Sequence, residues 1–209
     1  MNRKKCIWLI LILFFCLPGK ANCREFNWQE IQKESAKITT IQARFTQSKH
    51  MKILSKPLVS KGIFYFQAPN SVRWEYNSPV KSILLMSREG GIKRYTAGSK
   101  GLAEEPGTSL QGVQMVLQEI SKWTKGQFTD NPYFVASMKD GQVPQIIMTP
   151  REKGLASIMD RIVISFSPDR PGILKSVKIV ENEGNDTLIE FSDVQINTKL
   201  QESLFRKAE

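Results

Sequence analysis

The chain has 209 residues, of which 41% are hydrophobic, and its 30 lysines and arginines against 20 aspartates and glutamates give a formal net charge of +10. This length suits one domain, or at most two small ones, and is sufficient to bury a core without crosslinks. The one histidine and the three cysteines form no cluster in the sequence that could hold a metal, and any Ser–His pair would have to use His50.

The first residues have the pattern of a secretory signal peptide. Three cations at positions 3 to 5 precede an apolar run of 12 residues, Cys6 to Leu17, which is too short to span a bilayer. Small residues predict cleavage after Ala21, and Cys23 marks a second candidate site. Cleavage would lower the net charge from +10 to +6 and leave at most one cysteine, so no disulfide is expected. We expect residues 1–21 to be removed and residues 22–209 to form one periplasmic domain.

The mature chain is predicted to start with a helix and then a strand. Asn27 is a candidate N-cap, and Glu30 is the reciprocal residue of a capping box, for a helix that ends at Thr39-Thr40. From Ile41 to Met51 apolar and polar residues alternate, which predicts a strand with one apolar side.

The stretch Leu58–Met86 reads as three strands joined by turns at Ala68-Pro69-Asn70 and Asn77-Ser78-Pro79. Val72, Trp74 and Tyr76 alternate with polar residues, so they share one face. A simple hairpin at the first turn would place Phe64 and Phe66 on that same face. The pattern predicts an apolar, aromatic wall along one side of a sheet.

A second helix interrupts the strands that follow. Ile92–Tyr95 is a short strand, and Ala97–Gly107 is rich in glycine and interrupts the sheet. Thr108 or Ser109 is a candidate cap for a helix that Gly126 ends, and its apolar positions predict that it covers a face or an open end of the sheet.

Strands resume after this helix and continue to the C-terminus. They are predicted at Tyr133–Met138, Gln145–Thr149, Ile158–Phe166, Ile173–Val180 and Thr187–Ile196, with a last turn or strand at Leu200–Phe205. About ten or eleven short strands and two helices predict a mainly β fold with some α: an incomplete, unclosed antiparallel barrel with helices at one mouth.

The residues of the wall and the final strands resemble the periplasmic lipoprotein carrier family of LolA type. The segments that carry the resemblance are Ala43-Arg44-Phe45-Thr46-Gln47, Gly62–Phe66, Pro69-Asn70, Arg73-Trp74-Glu75-Tyr76 with Pro79, Met148-Thr149-Pro150, and Phe191-Ser192-Asp193-Val194 with Asn197 and Leu200. The resemblance covers most of the mature chain and is clearest in residues 41–95. One position departs from it, because Ala68 stands where the family often has an arginine before the proline.

The resemblance implies a helical lid over a hydrophobic cavity that binds the acyl chains of lipoproteins and shuttles them from the inner to the outer membrane. The residues themselves show no catalytic constellation, metal cluster or glycine-rich nucleotide motif, so no enzyme activity, catalytic residue, metal or cofactor is expected. The cavity residues that the resemblance implies are Phe45, Phe64, Phe66, Val72, Trp74, Ile83 and Leu85, and the lid residues are Leu110, Val113, Leu117 and Ile120.

The implied partners are acylated lipoproteins or another lipid, an inner-membrane ABC-type lipoprotein-release complex and an outer-membrane acceptor. We expect a monomer that does not bind nucleic acid, since the basic residues are scattered and the alternating aromatics are typical of a core face. Three alternatives stay open: a carrier of another amphiphile such as a glycolipid or polyene lipid, a periplasmic sensor or scaffold that binds a protein, and an exported hydrolase that uses His50.

Overall fold

A computed structural model describes residues 27–89, 91–99, 101–105, 111–139 and 143–208, and for residues 111–115 only the helical backbone. The strands are β1 (Thr40–His50), β2 (Leu58–Gln67), β3 (Ser71–Ser78), β4 (Ser82–Met86), β5 (Ile92–Gly98), β6 (Gly101–Glu104), β7 (Phe134–Lys139), β8 (Gln145–Pro150), β9 (Met159–Phe166), β10 (Leu174–Glu181) and β11 (Asp186–Ile196). The helices are α1 (Trp28–Ser35), α2 (Gln111–Thr124) and α3 (Lys153–Ala156), and short 3-10 helices span Asn182–Gly184 and Glu202–Phe205.

The strands form one 11-stranded sheet in the order β6-β5-β4-β3-β2-β1-β11-β10-β9-β8-β7. Every neighbouring pair is antiparallel, and β1 lies beside β11, so the first and last strands meet in the middle. The strands β6 and β7 form the two edges and do not pair with each other. This confirms the predicted incomplete antiparallel barrel.

The first helix begins at a side-chain cap and is approached closely by the backbone at Gly126 and Gly172. The Asn27 side chain accepts a hydrogen bond from the backbone nitrogen of Glu30 at 2.8 Å, which confirms the predicted N-cap. Gly126 has a φ of 72°, and a Cβ there would lie 2.9 Å from Gln32 Cα. The helix ends at Ser35 rather than at Thr39, because Ser35 is buried against the β9–β10 loop and the chain then turns into β1.

Other differences from the predicted elements lie in short segments. Gly101–Glu104 forms strand β6, where the sequence predicts an interruption, and Lys153–Ala156 forms a helical turn in a predicted loop. Residues 200–205 end in a 3-10 helix. The candidate cap residues Thr108 and Ser109 lie outside the described residues.

The core lies between the concave face of the sheet and the helices α1 and α2. It contains Phe64, Phe66 and Phe166 from the sheet together with Ile31 of α1 and Trp123 of α2. No helix in the described part of the chain has the length and apolar character needed to cross a membrane.

Candidate functional site

An aromatic cluster forms the central part of the concave face. Directly opposed residues share a face in an antiparallel sheet, and Phe64 lies opposite Trp74. The ring centroids of Phe64 and Trp74 are 5.2 Å apart, and those of Phe45 and Trp74 are 4.9 Å apart. Phe45 lies opposite Gly62, where a Cβ would come within 2.7 Å of the Phe45 ring. The missing side chain at Gly62 is what lets the rings pack together.

The helix α2 covers this cluster, in agreement with the prediction that it lies over the sheet. Leu117, Ile120 and Trp123 are 2%, 3% and 2% exposed and belong to the same core as the aromatic cluster. They recur at helical spacing, so one face of α2 is directed at the sheet.

A cavity of about 540 Å³ remains between the sheet and α2. Its apolar lining includes Trp74, Leu84, Leu117, Ile179 and Ile189. The volume lies within the range of roughly 300 to 1,000 Å³ that is usual for small-molecule sites. The cavity therefore has the size and lining to hold an apolar ligand.

The cavity reaches the surface at one end of the sheet. Pro79 and Val80, in the β3–β4 turn, and Val116, on α2, line it and are exposed. A ligand that enters between this turn and α2 would have its outer end in water.

Polar groups on the cavity wall are mostly paired with each other. Tyr76 donates its hydroxyl to Gln47 Oε1 at 2.9 Å, and burial raises the pKa of Tyr76, so this hydroxyl stays protonated. Arg94 lies 3.5 Å from a carboxylate oxygen of Glu105, which compensates its charge. The buried Trp74 Nε1 makes no hydrogen bond within the described part of the chain. Arg94, the charged residue among the described lining residues, is therefore compensated.

The expected cavity and lid residues have different places in the structure. Trp74 and Leu117 line the cavity. Phe45, Phe64, Phe66 and Val72 lie on the same concave face but are packed as core, and Ile120 also belongs to that core. Leu110 lies outside the described residues, and the Val113 side chain is not described.

Ile83 and Leu85 were expected on the aromatic face, and that expectation is wrong. Trp74 lies opposite Leu84, whereas Ile83 lies opposite Glu75 and Leu85 opposite Arg73. Side chains alternate along a strand, so Ile83 and Leu85 belong to the convex face of the sheet.

The convex face is occupied by Arg73 and the C-terminal segment. Arg73, which is 3% exposed, lies 2.7 Å from Glu75 Oε2 and donates hydrogen bonds to the carbonyl oxygens of Leu204 and Lys207 at 3.1 and 2.7 Å. Phe205 is buried here as well. Arg73 therefore fixes the chain's end to the outside of the sheet and takes no part in the cavity.

Several cavity residues were missed by the sequence analysis. Tyr76 was placed on the aromatic wall but not among the cavity residues. Leu84 follows from the parity of Trp74 once β3 and β4 are in register, and Ile179 and Ile189 follow from alternation within their own strands. The signal was present, but the pairing of β11 with β1 had to be known before these strands could be placed beside the wall.

A buried carboxylate anchors α2. Glu119 is 3% exposed, accepts a hydrogen bond from Asn131 Nδ2 at 2.5 Å and lies 2.7 Å from Lys122 Nζ. Asn131 Oδ1 in turn accepts from the backbone nitrogens of Tyr133 and Phe134 at 2.9 and 3.1 Å. The helix is thereby fixed to the segment that leads into β7.

A second tie joins the end of α2 to the turn that contains Ala68. Lys125 Nζ donates a hydrogen bond to Asn70 Oδ1 at 3.2 Å. Burial lowers the pKa of Lys125, and the nearby Lys122 lowers it further. A cation directly after the helix thus contacts this turn, whereas the family resemblance places the cation on the turn itself.

The chain is similar to known carriers along most of its length. A family model described as outer membrane lipoprotein carrier protein LolA matches residues 36–94 and 116–208. An outer-membrane lipoprotein carrier protein from Pseudoalteromonas translucida is 22% identical over 208 residues, which cover 98% of this chain and 92% of the relative. A protein of the same description from Nitrosospira multiformis is 23% identical over 209 residues, with coverage of 99% and 93%.

The fold is also similar to that of a solved structure with lower sequence identity. A DUF1329 family protein from Desulfovibrio piger aligns over 85% of this chain and 95% of its own, with 12% identity and a TM-score of 0.49.

Proposed function

This chain belongs to the family of outer membrane lipoprotein carrier proteins, and from that premise we propose that its cavity receives an acyl chain of a lipoprotein. The observation that supports the proposal is the apolar cavity of about 540 Å³ between the sheet and α2, which the protein's own side chains do not fill. Its outer end lies beside the exposed Val116 and Val80, so a polar headgroup or peptide would remain in water.

The cavity volume sets how much cargo fits at one time. A methylene group is close in size to a water molecule, about 30 Å³, so a chain of roughly sixteen carbons occupies about 480 Å³. The cavity of about 540 Å³ thus suits one such chain. A triacylated cargo would keep its other chains outside or displace α2.

The energetics also favour one buried chain. Burial at about 0.8 kcal/mol per methylene gives about 13 kcal/mol for one chain of roughly sixteen carbons. Reversible complexes reach at most roughly 18 to 21 kcal/mol. One chain stays within that limit and can be released, whereas three fully buried chains would exceed it.

The proposed role is a shuttle between two membranes. Residues 1–21 would direct export, and residues 22–209 would act in the periplasm as a single-domain monomer without catalytic activity. The protein would accept acylated lipoproteins from an inner-membrane ABC-type release complex and pass them to an outer-membrane acceptor.

The test is co-elution of the protein with a synthetic triacylated lipopeptide after detergent removal. We expect the wild type to carry the lipopeptide and Val116→Trp to lose it, because the indole would occupy the cavity entrance. Gln118→Trp, an exposed position on the same helix that does not line the cavity, is the matched control and should bind normally.

Two results would oppose the proposal. Equal lipopeptide binding by Val116→Trp and Gln118→Trp would show that the cavity is not the site. Binding of free glycolipid or polyene lipid in place of the lipopeptide would assign the cavity to another amphiphile.

A further inference from the structure

Four turns lie together at the end of the sheet where the cavity opens. The backbone nitrogen of Lys52, in the β1–β2 turn, donates to Asn185 Oδ1 of the β10–β11 turn at 2.9 Å. Asn182, in the β10–β11 turn, donates its backbone nitrogen at 3.2 Å to the carbonyl oxygen of Ile158, which lies in the connection between β8 and β9. The start of β2 pairs with the end of β3, which brings the β3–β4 turn alongside. We call this end of the molecule the mouth surface.

The mouth surface carries most of the large apolar side chains that are exposed in the described residues. Nine such side chains are exposed in the described part of the chain, and six belong to this end: Ile53, Leu54, Leu58, Val59, Val80 and Ile158. Ile53 is 85% exposed and Ile158 is 64% exposed. Isolated apolar residues are normal on a surface, but a concentration at one end marks an interaction site.

The β1–β2 and β3–β4 turns carry several lysines, whereas the β10–β11 turn carries one exposed carboxylate, Glu183. Residues 51–61 and 77–81 include Lys52, Lys56, Lys61 and Lys81 and contain no aspartate or glutamate. All four lysines are exposed, and none forms an ion pair within the described residues.

Carboxylates on the neighbouring strands are already occupied. Asp186 pairs with His50 at 3.2 Å and with Lys178 at 3.4 Å, and Glu181 pairs with Lys49 at 3.3 Å. The β1–β2 and β3–β4 turns therefore carry the excess positive charge at this end.

We propose that the mouth surface docks onto an anionic phospholipid bilayer. The aliphatic side chains enter the headgroup layer, and the lysines extend to the lipid phosphates, which is the arrangement that membrane-surface proteins use. Protein interfaces, by contrast, are poor in lysine and rich in aromatic residues. Such docking would turn the cavity opening toward the bilayer. This membrane docking is a property additional to the carrier role, and it does not depend on which cargo the cavity binds.

The test is flotation of the full mature chain with vesicles of phosphatidylcholine alone or mixed equally with phosphatidylglycerol. We expect the wild type to float only with the anionic vesicles and to lose binding as salt rises. Ile53→Asp should weaken binding about tenfold, since it removes an apolar insertion. The double variant Lys52→Gln with Lys56→Gln should weaken vesicle binding about 25-fold, because the loss of each lysine charge weakens binding about fivefold.

Matched controls separate docking from general effects of charge and from cavity binding. Val135→Asp, on edge strand β7, and Lys33→Gln with Lys175→Gln, away from the mouth, should float like the wild type. Val116→Trp should also float, because docking does not need an accessible cavity. Circular dichroism on every variant checks that it is folded.

The proposal would be overturned if the wild type bound both kinds of vesicle equally, or bound neither. It would also be overturned if Ile53→Asp and the Lys52/Lys56 double variant floated as well as the wild type. If Ile53→Asp impaired transfer to a protein acceptor while the wild type bound no vesicles, the mouth surface would be a protein-docking site instead.

Discussion

Asn131 donates a hydrogen bond from Nδ2 to the buried Glu119 Oε2, and this bond joins α2 to the segment before β7. The helix forms one wall of the cavity, so its attachment decides whether the cavity stays covered. The two residues are 12 positions apart in the sequence, with Glu119 on α2 and Asn131 in the following loop. No sequence motif in this loop indicates the contact.

Glu119→Ala should loosen α2. The change leaves the Asn131 amide without its acceptor, and a buried unpaired donor costs about 1 to 3 kcal/mol. We expect a lower melting temperature and stronger fluorescence from a dye that brightens in apolar surroundings. Glu202→Ala is the control, because its pair with Arg206 is 73–75% exposed and contributes less than about 1 kcal/mol. Equal effects of the two changes would contradict an anchoring role.

Gly62→Ala should disrupt the packing of the aromatic cluster. A Cβ at Gly62 would lie 1.9 Å from the Glu75 carbonyl oxygen and 2.7 Å from the Phe45 ring, so β2 and β3 must separate. Urea unfolding should show a loss of at least about 2 kcal/mol. Gly154→Ala is the control, because a Cβ added there would have no non-neighbouring atom within 4 Å. It should change the free energy of unfolding by less than about 1 kcal/mol. Similar stabilities for the two variants would refute this close approach.

Arg73→Met should release the C-terminal segment from the convex face. It breaks the pair with Glu75, and loss of one partner from a buried ion pair costs about 3 kcal/mol or more. We expect faster proteolysis near Leu204 and a lower urea midpoint. Arg44→Met breaks a pair with Asp193 that is 68–74% exposed, so it should cost less than about 1 kcal/mol. If Arg73→Met were cleaved near Leu204 no faster than the wild type, Arg73 would not be what holds the C-terminal segment to the sheet.

The aromatic wall could be predicted because its pattern is local. The period of two along Val72, Trp74 and Tyr76 determines which side chains share a face, and a short hairpin extends that face to Phe64 and Phe66. The same reasoning fails across the next turn. Periodicity does not pass through Asn77-Ser78-Pro79, so the face of β4 depends on a register that only the structure provides.

Other features depend on contacts between distant parts of the chain. Arg73 has the sequence pattern of an exposed strand residue, yet it is buried because Leu204 and Lys207 lie over it. The anchor at Glu119 likewise has the pattern of a solvated helix residue. Strand β6 was missed because its glycine-rich sequence indicates a loop, whereas pairing with β5 makes it a strand.

The central claim is that an acyl chain occupies the cavity between the sheet and α2. Its most direct test is photocrosslinking with a lipopeptide whose acyl chain carries a diazirine, followed by mass spectrometry of the labelled peptides. We predict labels on Trp74, Leu84, Leu117, Ile179 and Ile189, which line the cavity. Labels confined to the convex face around Ile83 and Leu85, or the absence of any label, would contradict the account.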